Sequence, residues 1–302
     1  MGNINLSEIL MLFFVSIIMA TSCKSDRTGQ YTREMLNDEY YKTIERIENI
    51  KKVYNLCPSP AEMLDIIDVD DIRYNGDILN PAARRDNYLD IKSQTLNLGI
   101  YITDMAYTSL FGRYEETIDY LEAVKDITGK LKISGAVNRE MINRAKKNVQ
   151  SVDSLFSISN EAFINLLFFC EKNDRAATVF IISAGAFIES LYLAINIVDK
   201  YDTSNYIIRY VAEQKYAIDN LIASAESLPE DPNLSEVIQQ LKPVLDIYSR
   251  LEFKGGSTTV KKEGSNKLVI GGGKKILLSG KEFNELKEAA SLVRNNIISN
   301  NI

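Results

Sequence analysis

No proline occurs between Pro81 and Pro229. A stretch that long without the one residue that removes a backbone donor and clashes with the preceding turn suits a series of long helices. Periodicity supplies the detail. Leu36, Tyr40, Ile44, Ile47, Ile50 and Tyr54 recur at helical steps and predict a first helix over 33–55. Ser59-Pro60-Ala61-Glu62 is a capping box with proline at the first helical position, so a short helix starts there. Further helices are predicted at 86–111, 114–128, 138–150, 153–172, 175–199 and 204–227, with Asn138, Asp174 and Ser204 as N-caps. Another covers 233–251, kinked or split at Pro243.

Composition changes near residue 253. Seven of the 15 glycines fall within 255–280, beside the β-branched runs Thr258-Thr259-Val260 and Leu268-Val269-Ile270, which predicts a small hairpin or flap. A second capping box, Ser279-Gly280-Lys281-Glu282, opens a last helix with an apolar face of Phe283, Leu286, Ala290, Val293 and Ile297. The expected fold is all-α: an antiparallel helical bundle or an array of helical hairpins, with a small C-terminal β-hairpin insertion. Its organisation reads as 1–22 signal peptide, 23–32 lipidated cysteine and tether, 33–252 helical domain, and 253–302 hairpin plus terminal helix packed on that domain.

The N-terminal assignment rests on the apolar run Ile9–Ala20 followed by Ala20-Thr21-Ser22-Cys23. Twelve apolar residues are too few to anchor in a bilayer but suit the core of a secretory signal. Small residues before a cysteine at its end resemble a bacterial lipobox, in which the thiol is diacylated and two chains give stable membrane attachment. The pattern departs from the usual one in having Ala20 where Leu is common and no Lys or Arg in residues 1–8. It implies an envelope protein attached to the membrane, outer membrane by expectation, through Cys23. Export would permit a disulfide between Cys57 and Cys170, although Cys170 inside Leu166–Cys170 also reads as a buried small hydrophobe.

The chain has no histidine, which excludes His-based triads and His-ligated metals, and no CxxC or comparable spacing suggests a metal or cofactor. With 35 basic against 41 acidic residues there is no footprint for nucleic acid. Gly271-Gly272-Gly273-Lys274-Lys275 lacks the Walker spacing, and the surrounding lysines fit a solvated hairpin.

Two polar stripes inside apolar helices carry the sharpest candidates. Asn97, Tyr101, Asp104 and Thr108 share one helical face, and Gly185, Glu189, Tyr192 and Asn196 share another. Echoes between Gly99-Ile100-Tyr101-Ile102 and Gly185-Ala186-Phe187-Ile188, and between Ile118–Ala123 and Ile218–Ala223, suggest two related hairpins. Packed together, these would let Asp104 and Glu189 line one cavity as acid–base carboxylates of a hydrolase, with Asn97, Tyr101 and Tyr192 as binding residues. The bland reading is that an Arg, Tyr hydroxyls and Asn amides satisfy both acids in the core, and that Gly99 and Gly185 allow close helix approach. Ala176–Val198 is also long and apolar enough to be weighed as a membrane span, or as the central helix of a bundle.

Several segments together resemble an uncharacterised α-helical lipoprotein family typical of Bacteroidota. They are Pro58-Ser59-Pro60, Leu79-Asn80-Pro81, Leu96–Tyr101 with Asp104, Ala106 and Tyr107, and Ala184–Tyr192. The resemblance covers roughly 57–195 and, more loosely, the last helix; the family often has Trp where this chain has Phe187. It implies an envelope location and a helical fold. The leading functional expectation is a non-enzymatic, membrane-anchored binding or scaffolding module with an envelope protein partner. An envelope hydrolase using Asp104 and Glu189 is the alternative. A tyrosine-based glycan-binding platform is a third option.

Overall fold

The computed structural model describes residues 59–69, 71–148, 150–198, 200–256, 259–263, 267–271 and 275–300. The expected signal peptide, Cys23, the tether, the 33–55 helix and Cys57 lie outside these residues. Within them the protein is all-α with a minor β element. The helices are α1 (Pro60–Leu64), α2 (Ile91–Leu110), α3 (Tyr114–Lys130), α4 (Arg139–Lys147), α5 (Val152–Lys172), α6 (Ala176–Asn196), α7 (Tyr206–Glu226), α8 (Pro232–Arg250) and α9 (Gly280–Ser299). The strands are β1 (Phe253–Lys254), β2 (Thr259–Glu263), β3 (Lys267–Gly271) and β4 (Lys275–Ile276). Antiparallel β1–β4 pairing encloses the antiparallel β2–β3 pair, so the hairpin is two nested ladders.

Local chemistry sets the boundaries. Both capping boxes form, at Ser59 and at Ser279. Asn138 caps α4 as expected. Asp174 and Ser204 do not cap. Arg175 occupies the position before α6, and Asn205 accepts the Ile207 amide at the start of α7. Asp174 instead takes a positive φ of 56°. The Arg175 amide reaches the Cys170 carbonyl at 2.9 Å, and the Asp174 amide reaches that of Glu171 at 3.1 Å. These two bonds make a Schellman closure, which requires a left-handed residue and tolerates Asp there. Gly112 and Lys132 close α2 and α3 in the same way. The segment expected to begin α2 at residue 86 is a separate 3₁₀ turn, Ala82–Asp86, and Asp90 caps the true helix start at Ile91 by accepting the Ser93 amide. Pro243 does not split α8: the helix runs through it, and the exposed Gln239, whose carbonyl loses its partner there, can be solvated.

Helices α2 and α6 form the centre. Helices α3 and α5 pack on α2, and α7, α8 and α9 pack on α6. One apolar core gathers Leu98, Ile102, Leu121, Val124, Ile142, Phe163 and Leu166; a second gathers Leu96, Ile188, Leu191, Val211, Val237, Leu286 and Val293. Helix α6 is long and apolar enough to cross a membrane, yet 89% of its most apolar window is buried inside the protein. Its hydrophobicity is that of a helix covered on all sides by neighbours.

The two central helices meet at their glycines. A Cβ on Gly99 would fall 2.1 Å from the Ile182 carbonyl oxygen and 2.6 Å from the Ala186 nitrogen, and one on Gly185 would fall 2.1 Å from the Leu96 carbonyl oxygen. Backbone packs directly on backbone, so no side-chain shift could relieve either clash. Gly99 and Gly185 are the echoed positions in the sequence, and the hairpins α2–α3 and α6–α7 that carry the echoes pack through their first helices.

Alanine scanning separates packing from propensity here. Alanine is the better helix former by about 1 kcal/mol, so Gly129→Ala in α3, with nothing within 4 Å of the added methyl, should raise stability by about 0.5–1 kcal/mol. Gly99→Ala and Gly185→Ala should each lower it by about 3 kcal/mol or more, because overpacking outweighs the propensity gain. Denaturant unfolding of the three variants checks both directions.

Candidate functional site

The crossing at Gly99 and Gly185 places Asp104, one turn further along α2, beside Glu189, one turn further along α6. Both are fully buried. Helix α9 supplies the third member, Arg294, itself only 4% exposed. Its Nε lies 2.9 Å from one Glu189 oxygen and its Nη2 3.1 Å from the other, a bidentate pair. The same Nη2 donates to the Ile78 carbonyl at 2.8 Å. The Arg294 guanidinium also lies over the half-buried ring of Tyr192, 4.6 Å from its centre.

Asp104 is held from the other side. Its Oδ2 accepts the backbone amide of buried Asn80 at 3.1 Å. The Asn80 side-chain amide donates to Tyr88 Oη at 3.0 Å and to Asn97 Oδ1 at 3.1 Å. Asn97 Nδ2 donates to Ser93 at 2.9 Å and to the Ile297 carbonyl at 3.4 Å, and Tyr88 Oη lies 3.3 Å from the Ile298 carbonyl. Tyr101 donates to the Pro81 carbonyl at 3.2 Å and hydrogen-bonds Tyr88. The network is a clasp. It ties the segment from Ile78 to Tyr88 and the C-terminal turns of α9 onto the α2–α6 pair.

One oxygen has no donor. Asp104 Oδ1 is buried and has no hydrogen-bond partner. Burial, followed by the repulsion of Glu189, holds the Asp104 carboxyl well above the usual carboxylate range, while Arg294 and the Asn80 amide pull the other way. A single guanidinium neutralises a single carboxylate, and a second buried negative charge would stand uncompensated. The site thus holds two buried acids and one cation: Glu189 takes the guanidinium, and Asp104 keeps its proton. Burial raises the neighbouring Tyr101 and Tyr120 hydroxyls too, and the nearby carboxylates add to it.

The structure therefore brings Asn97, Tyr101, Asp104, Glu189 and Tyr192 into one network, and leaves Thr108 and Asn196 out. Thr108 bonds Met105 and Thr117, and Asn196 bonds its own helix at Tyr192. As ligand-binding groups the five do not fit: four are buried and all face protein. As a hydrolytic pair Asp104 and Glu189 also fail on geometry. Glycosidase carboxyl groups flank an open cleft, about 5–9.5 Å apart, whereas both of these are sealed in the core. Arg294, Asn80 and Tyr88 escaped the sequence reading. Arg294 had a signal: it falls between Ala290 and Ile297 at helical spacing, on the face that turns inward.

Elsewhere, Cys170 is a buried free thiol pushed up to about 11 by desolvation, which makes it an inert packing group. Among the described residues no group of three or more acidic or cysteine side chains could hold a metal ion. Solvent does reach a groove of about 500 Å³ lined by Ile66 and Thr203, by Tyr206, Arg209, Tyr210 and Glu213 on α7, and by Lys275–Leu278. It meets a second hollow of about 670 Å³ beneath Lys200–Tyr206 at Thr203 and Tyr206. Three distant segments build this groove, which is why no local motif announces it. Among the described residues Arg209 and Lys275 on its rim make no ion pair.

Arg294 needs one counter-ion. Asp104→Asn leaves the Glu189 pair intact, and in Glu189→Gln the Asp104 carboxylate can take its place beside Arg294, so each should change stability by no more than about 1 kcal/mol at neutral pH. The double variant strands the guanidinium and should lose about 3–5 kcal/mol. Unfolding free energies that simply add across the cycle would contradict this exchange of counter-ion.

Comparison with protein-family models, with curated proteins and with solved structures finds no match to this chain.

Proposed function

We propose that this chain is an envelope lipoprotein, attached to the membrane through lipid on Cys23, whose helical domain is a non-enzymatic binding or scaffolding module. The observation that carries the non-enzymatic half is the burial of Asp104 and Glu189: neither acid is exposed, both Glu189 oxygens are taken up by Arg294, and Asp104 Oδ2 accepts the Asn80 amide. The anchor rests on the sequence, where a secretory-type apolar run ends in Ala20-Thr21-Ser22-Cys23. The short polar stretch Lys24–Thr32 would then keep the domain close to the bilayer. Resemblance of several segments to Bacteroidota lipoproteins supports the same placement, by which the outer membrane is the site of attachment. Binding to an envelope protein partner would use the groove beside α7 and β4, because it is concave and solvent-reached and exposes Tyr206 and Leu277.

Cell fractionation tests the anchor. Wild type should partition with membranes, and a chain beginning at Lys24 behind a cleavable secretory signal should be soluble. A Lys24 chain that stays with the membrane through carbonate washing would overturn the lipid-anchor reading and place α6 in the bilayer.

A further inference from the structure

We propose that the buried Asp104 carboxyl, which has no cation of its own beside the Glu189–Arg294 pair, works as a latch on the C-terminal turns of α9 and on the segment Ile78–Tyr88. The inference rests on which parts of the cluster can yield. Its floor is the α2–α6 crossing, locked backbone to backbone at Gly99 and Gly185. Its cover is the Ile78–Pro81 strand of chain and the last turns of α9, and hydrogen bonds from Arg294, Asn97, Tyr88 and Asn80 hold that cover in place.

Lifting is proton-linked. Closed, Asp104 keeps its proton at a pH where an exposed carboxyl has released it. Opening admits water, the proton leaves to solvent, and the exposed carboxylate is stabilised. The closed state binds more protons than the open one, so its advantage is complete below the ordinary carboxylate range and is lost as pH rises toward the raised value. Over that window the opening equilibrium should increase about tenfold per pH unit. Titratable and charged groups facing the pair are Tyr101 and Tyr107 on α2, Tyr120 on α3, Glu189 and Tyr192 on α6, Arg294 on α9, and Tyr88 with Arg84 from the covering segment. Burial pushes these tyrosines up, and Glu189 pushes Arg294 up, which leaves the Asp104 carboxyl as the group that titrates. Opening frees the end of α9 without disturbing the apolar seat of its first turns, where Phe283 and Leu286 pack in the core and the Tyr201 ring packs at a tilt against Phe283.

Hydrogen exchange read by mass spectrometry from pH 5 to 8, normalised to intrinsic exchange, tests the latch. Peptides spanning 76–90 and 290–300 should exchange faster than those of α2 and α6, and should lose about tenfold protection per pH unit. In Asp104→Asn, which keeps the shape of the protonated acid, the pH dependence should vanish in the same peptides. Glu189→Gln, which leaves one acid paired with one arginine, should abolish it as well. Exchange of both segments only at the rate of the central helices would overturn the proposal, because the cover would then open only by global unfolding. An unchanged slope in Asp104→Asn would overturn it too.

Discussion

Direct contact between the backbones of α2 and α6 governs the rest of this structure. Two helices normally stand 8–10 Å apart because their side chains intervene. At Gly99 and Gly185 nothing intervenes, and the carbonyls of Ile182 and Leu96 occupy the space a methyl would need. The helices gain dispersion contacts along a narrow seam, and that gain has to exceed the propensity penalty of two glycines in helix interiors. Closeness also fixes register. Neither helix can rotate or slide without driving a Cβ into a carbonyl, so the residues one turn further along, Asp104 and Glu189, are forced to confront each other.

Such a confrontation would be unstable on its own. Two acids in an apolar seam are tolerated because Arg294 enters from α9 to pair with Glu189 and Asp104 keeps its proton, which together leave a neutral cluster. This polar centre adds specificity that the two surrounding apolar cores lack. An apolar helix face accepts several registers of a partner helix, whereas a bidentate guanidinium accepts one. Buried ionic groups are weak evidence for net stability, and the cluster is better understood as fixing where α9 and the Ile78–Tyr88 segment sit.

Much of the fold was legible in the sequence because its signals are local. Proline-free length, 3.6-residue periodicity and two capping boxes delivered nearly every helix, and the close-approach role of the glycines followed from their apolar setting. The misses have physical causes. Asp174 looks like an N-cap but closes α5, since a three-residue connection leaves its position in the left-handed region. Ser204 and Asn205 are both capping types, and only geometry chooses between them. At the candidate site, spacing on each helix placed Asp104 and Glu189 correctly on inward faces, yet whether two inward acids mean catalysis or packing depends on what arrives from elsewhere. That partner, Arg294, is 105 residues from Glu189 in sequence. The solvent-reached groove was invisible for the same reason, being assembled from α7, β4 and the turn after α1.

The account stands on Asp104 being a neutral acid at neutral pH. Infrared difference spectroscopy of wild type against Asp104→Asn reads this directly through the carbonyl stretch of a protonated carboxyl group. A protonated-carboxyl band present at pH 7 in wild type and missing in the variant is the predicted result. A carboxylate signature in its place would mean that two negative charges share the core with one arginine, and would contradict the central claim.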